Sequence, residues 1–196
     1  IMVFEPRRSR VVPEAPRILV LFAHLAVQRS RINRAMVEAL RGLHNVVVND
    51  LLETYPDFYI DVERERALAR EAHLIVFQHP IYWYSAPAII KHWQDVVLNR
   101  GFAYGEGGTA LHGKDFMLAI STGGPPETYR PGGMHGRPLE EFLQPFDQMA
   151  RFCGMRCLPP FVLQGGHLLP ESEIAQHAAA YRELLEGYRP SSRSGA

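Results

Sequence analysis

Three stretches of this chain collect the residue types that can hold a flat, phosphorylated molecule. His24 to Asn33 contains Ser30, Arg31 and Ile32; Pro80 to Tyr84 contains Ile81, Tyr82 and Trp83; Ser121, Thr122, Gly123 and Gly124 are followed by Tyr129 and His135. A phosphate is held by several donors aimed at one point, and a strand-to-helix turn supplies backbone N–H groups at a positive helix end. Ser30 and Asn33 offer side-chain donors, His24 an imidazole, and Arg31 or Ile32 a main-chain N–H. An ordinary capped helix, with Ser30 or Asn33 as the cap, accounts for the same residues. No Gly-rich dinucleotide or Walker pattern decides between the two.

Tyr82, Trp83 and Tyr84 are consecutive aromatics that cannot all enter one core from a short turn. Such rings either face a flat conjugated ligand, with contacts of roughly 0.5–1.5 kcal/mol beyond area burial, or form a subunit contact or core cluster. Ser121 to Gly124 leaves backbone N–H groups accessible to the carbonyl edge of a heterocycle, because glycine permits close approach; it could equally be a simple turn. Tyr129 and His135 lie six apart. A phenol beside an imidazole can donate protons to, or neutralise, developing charge, although either can also be structural.

These stretches matter only if the fold brings them together. Arg17 to Ala23 is a continuous apolar run, as expected of a strand covered on both faces. Apolar residues at Ile32, Ala35, Met36, Ala39, Leu40 and Leu43 recur at three and four, the stripe of a helix packed on a sheet. The spacing then predicts a strand at Asn45–Asn49, a charged helix at Asp61–Glu71 and a buried strand at His73–Phe77. A helix at Ala88–Leu98 with Pro87 in its first turn and a strand at Asp115–Ser121 follow. A helix at Leu139–Phe152, a last strand within Met155–Leu163 and a closing helix capped by Ser172 complete the series. Alternating strands and helices argue an α/β, doubly wound, five-stranded parallel sheet in three layers. In such a sheet the carboxyl ends of the strands at the winding reversal form the ligand crevice.

Among 196 residues, 21 basic and 21 acidic side chains balance. That leaves no broad electrostatic footprint for nucleic acid. Cys153 and Cys157 have no second pair to complete a metal site and read as spectator thiols. No apolar run reaches the roughly 18–20 residues needed to span a bilayer, so a soluble cytoplasmic protein is expected. Residues 1–16 read as a loose arm, 17–189 as the folded unit and 190–196 as a disordered tail.

The ordered set Ala23-His24, Ser30 to Asn33, Asp57 to Asp61, Phe77 to Pro80, Pro87-Ala88 with Lys91 and Trp93, Gly101 to Tyr104, and Thr122 to Gly124 resembles the flavodoxin-like NAD(P)H:quinone oxidoreductases. Both the diaphorase type and the ancillary flavoproteins of glutathione-gated potassium-efflux systems are similar, the latter more so. The resemblance implies a flavin, FMN or alternatively FAD, with its phosphate at His24 and Ser30 to Asn33, its ring along Ile81 to Tyr84 and its polar edge at Ser121 to Gly124. Tyr129 and His135 would assist hydride transfer from NAD(P)H to a quinone-like acceptor by a ping-pong route. It further implies a homodimer, explaining exposed Phe58, Tyr59, Trp83 and Tyr104, and a membrane potassium-efflux transporter as a second partner class at the inner membrane face. The 24–29 loop departs from the pattern, lacking its proline and acidic residue. A one-electron flavodoxin carrier fits less well, since it needs an acidic docking face.

Overall fold

The computed structural model describes residues 16–190; the arm and tail expected from the sequence lie outside them, apart from Pro16 and Pro190. Strands β1 (Ile18–Phe22), β2 (Val46–Asp50), β3 (Leu74–Pro80) and β4 (Asp115–Ser121) are joined in the order β2-β1-β3-β4. The short β5 (Arg156–Cys157) and β6 (Phe161–Leu163) both pair with β4, and every pairing is parallel. The expected last strand is therefore split. Pro159 and Pro160 lie between the two pieces and have no N–H to give the ladder.

β1, β3 and β4 are buried along their whole length. Alternate residues divide between two cores. Leu19, Leu21, Ile75, Phe77, Phe116 and Leu118 pack beneath α2 (Leu51–Thr54), α3 (Val62–Glu71), α4 (Ala88–Val97) and α5 (Leu139–Phe152). Ile18, Val20, Phe22, Leu74, Val76 and Met117 pack beneath α1 (Arg31–Ala39) and α6 (Glu171–Glu186). Each such side chain contributes roughly 1.5–3 kcal/mol when fully buried. This is the three-layer, flavodoxin-like α/β architecture expected.

Several boundaries differ from the sequence expectation. β3 runs on through Gln78, His79 and Pro80, because those residues continue pairing with β4 from Ala119 to Ser121. Pro170, not Ser172, occupies the cap position of α6, and Ser172 lies inside its first turn. Pro87 caps α4 rather than entering it. Tyr104 is half-buried against Phe152, with ring centroids 5.1 Å apart, and so is not one of the exposed aromatics.

Two carboxylates are taken out of water with full compensation. Glu65 is 0% exposed and accepts from Asn49 Nδ2, Tyr55 Oη, Arg64 Nη1 and Trp93 Nε1. Asp115 accepts two 2.7 Å bonds from Arg156 and one from the Tyr188 hydroxyl, tying the chain after α6 to the start of β4. A buried charge left unpaired would cost several kcal/mol.

His79 has no such compensation for a charge. Its Nδ1 lies 2.9 Å from the Pro80 carbonyl, Nε2 is buried without a partner, and Phe146 covers the ring. Burial pushes the imidazole down to about 4. The unfolded chain, with an ordinary histidine near 6.5, therefore binds more protons between those values. Stability is expected to be complete above pH 6.5 and to fall by about 3 kcal/mol on acidification to pH 4. Chemical denaturation across that range should show a shallower loss in His79→Gln; equal losses would contradict the assignment.

Candidate functional site

The sheet winds outward from β1 to β2, then returns to place β3 on the other side of β1. At this reversal the turns after β1, β3 and β4 diverge and leave a crevice. A cavity of about 300 Å³ lies there, lined by His24, Ala26, Arg29, Ser30, Arg31, Ile32, Asn33, Pro80, Ile81, Tyr82, Ser121, Thr122, Gly123, Gly166 and His167. Residues from three separate stretches of sequence thus line one cavity.

The first wall is the start of α1. Ser30 is extended, and its hydroxyl accepts from the Asn33 N–H at 3.0 Å. The other N–H groups of this turn lack intrahelical acceptors, giving the cavity a positive end. Asn33 is 1% exposed, and its amide donates to Ser121 Oγ at 2.8 Å, linking α1 to β4. Arg31 turns its guanidinium away, to Glu171 and the Leu169 carbonyl. Arg29 adds charge to the cavity wall. The capped-helix and ligand interpretations of this turn are therefore compatible.

His24 is half-buried, and burial lowers its pKa. The Ala26 N–H donates to Nδ1 at 3.0 Å, so the neutral ring carries its proton on Nε2, which donates to the Tyr82 hydroxyl at 3.3 Å. Burial raises the Tyr82 phenol above its ordinary value. This pair joins the first turn to the second.

The second turn is a two-residue hairpin. Tyr82 and Ser85 exchange backbone hydrogen bonds of 2.9 and 3.0 Å, while Trp83 and Tyr84 adopt φ of 48° and 64°. A turn with positive φ at both central positions normally takes Asn-Gly, and bulky residues there cost on the order of 1–3 kcal/mol each. The strain throws Trp83 into solvent at 93% exposure, outside the cavity. Tyr84 instead turns toward His135 and Phe142.

The third turn bridges the cavity and a neighbouring ring cluster. Thr122 donates to the Gly124 carbonyl at 2.7 Å, and its side chain also acts on the neighbouring Tyr129 phenol. Tyr129 stacks on His135 with centroids 4.1 Å apart, and His135 Nδ1 lies 3.4 Å from the Tyr84 hydroxyl. Burial raises the Tyr129 phenol, an effect the nearby Thr122 hydroxyl only partly opposes, so it stays protonated at neutral pH. A Cβ on Gly124 would lie 2.7 Å from Thr128 Oγ1 and 3.1 Å from His135 Nε2. Gly124, Tyr129 and His135 thus stand beside the cavity, joined to it through Thr122, rather than in its wall.

Sequence reasoning missed one wall, Gly166 and His167 after β6. His167 lies over Gly123, where an added Cβ would meet its Nε2 at 3.1 Å. The only available signal was the Gly165-Gly166 pair following the last strand. Elsewhere, burial raises the thiols of Cys153 and Cys157, the latter to about 11. Among the described residues there is no cluster suited to a metal and no helix long and apolar enough to cross a membrane.

Comparison with known proteins agrees with this architecture. The glutathione-regulated potassium-efflux system ancillary protein KefG of Yersinia enterocolitica is 42% identical over 176 residues, 90% of this chain and 96% of that protein. The crystal structure of general stress protein 14 from Treponema denticola, in complex with FMN, is 34% identical at a TM-score of 0.83, covering 87% of this chain and 98% of that one. An NADPH-quinone reductase structure from P. pentosaceus is 27% identical at a TM-score of 0.80, covering 88% and 99%. With residues 16–185 matched to it, this chain belongs to the family described by the flavodoxin-like fold.

Proposed function

We propose that residues 17–189 form a flavin-binding unit that carries two electrons from NAD(P)H to a quinone-like acceptor, with FMN as the bound flavin. The supporting observation is the convergence of His24, Ser30 to Asn33, Ile81, Tyr82 and Ser121 to Gly123 on one cavity at the winding reversal. The similar Treponema denticola protein holds FMN, and the similar P. pentosaceus protein is an NADPH-quinone reductase.

The residues present fit such a ligand. Helix-start N–H groups and hydroxyls meet the needs of a phosphate, the Pro80-Ile81-Tyr82 wall those of a ring face, and the Thr122-Gly123 peptide those of a polar ring edge. Asn33 Oδ1 is also buried without a protein partner, leaving an acceptor at the wall. When bound, a flavin supplies the two-electron chemistry, while the protein supplies position and electrostatics. In this reading, Tyr129 holds its proton beside the Thr122-Gly124 edge, and His135, stacked on it, orients that phenol. The exposed Phe58, Tyr59 and Trp83 would meet a second copy of the chain.

Initial-rate kinetics with NAD(P)H and a benzoquinone test the activity: parallel double-reciprocal lines are expected, and no quinone-dependent oxidation would contradict it. Tyr129→Phe combined with His135→Ala should slow the reductive half-reaction roughly 10²-fold or more in stopped-flow absorbance. Replacing Trp83→Asn with Tyr84→Gly should relieve the hairpin strain, adding about 1 kcal/mol or more of stability while lowering turnover. A thermal melt and an assay on the same preparation check both halves.

The resemblance to KefG favours a second reading that can coexist with the first. Here the chain is an ancillary subunit working in the cytoplasm at the inner membrane face, on a glutathione-gated potassium-efflux transporter. Potassium efflux from cells expressing such a transporter with and without this chain would separate the two.

A further inference from the structure

Gln78 is 0% exposed and does not line the cavity. It shares its face of β3 with Leu74 and Val76, both members of the core beneath α1 and α6. An aliphatic residue would extend that core without a polar cost. The amide instead donates through Nε2 to the Asn33 carbonyl at 3.3 Å and leaves Oε1 without a protein partner. Burying such a group costs unless its bonds are made, so half of its bonding capacity is sacrificed to hold one carbonyl.

That carbonyl belongs to the first turn of α1. The same Asn33 gives its backbone N–H to Ser30 and its side-chain N–H to Ser121. Gln78 therefore fixes α1 against β3 while Asn33 fixes it against β4. Together these bonds set the separation between the donors at the helix start and the peptide edge at Ser121 to Gly123. We infer that Gln78 is a positioning residue which, acting through Asn33, sets how strongly the site holds the phosphate end of its ligand. This rests on the flavin reading above, and it adds a determinant outside the cavity wall.

The test compares FMN with riboflavin, which has the same ring and no phosphate. Binding of each by wild type and Gln78→Met is measured by fluorescence quenching, with a thermal melt of every variant. Gln78→Met should weaken FMN about tenfold while riboflavin changes less than about twofold, collapsing the preference for FMN. Gln78→Glu should regain that preference as pH is lowered, because only the protonated carboxyl can donate to the Asn33 carbonyl. An unchanged ratio in Gln78→Met, or equal weakening of both flavins, would overturn the inference. If Gln78→Met fails to fold, the Gln78→Glu titration decides alone, a pH-independent ratio being the contrary result. Wild type that binds neither flavin would overturn the flavin reading itself, a distinct outcome.

Discussion

The reversal of winding at β1 is the constraint on which the site depends. Once β2 lies on one side of β1 and β3 on the other, the connections leaving their carboxyl ends pass to opposite faces and cannot close over the gap. The three turns singled out for their chemistry lie along that gap. The start of α1 brings helix-end N–H groups, the β3 turn brings aromatic surface, and the β4 turn brings an open peptide. A parallel sheet buried on both faces makes this placement rigid, because the strands cannot shift register without moving both cores.

Polar bonds refine what apolar packing makes rigid. His24 reaches Tyr82, Asn33 reaches Ser121, and Thr122 reaches the Tyr129 ring cluster. The first two join different pairs of turns, and the third ties the β4 turn to the loop that follows it. The strained Trp83-Tyr84 hairpin belongs to the same scheme, since its geometry sends Tyr84 toward His135 while exposing Trp83. Strain is tolerable there because β3 and α4, on either side, are buried deeply enough to impose it.

Much of this was legible in the sequence, and for identifiable reasons. The unbroken apolar runs of β1 and β4 leave little alternative to a doubly covered strand, and the Ser30 to Asn33 stretch is a helix start whatever it binds. Other features left weaker traces. Gln78, His79 and Pro80 interrupt the apolar pattern of β3, so the strand reads as ending early; hydrogen bonding to β4 carries it on. Nothing in three consecutive aromatics signals a hairpin that normally needs Asn-Gly. The wall at Gly166 and His167 comes from a short segment without periodicity, placed at the site by the register of β6 and by the N–H groups of Gly165 and Gly166, which donate to the carbonyls of Gly124 and Thr122.

The proposed flavin would sit in the gap at the winding reversal. The most direct measurement is the visible absorption spectrum of the protein as purified, followed by the mass of whatever chromophore heat releases. Bands near those of an oxidised flavin, with FMN recovered at about one per chain, are the expected result. A colourless protein that also leaves the fluorescence of added FMN unquenched would contradict the claim.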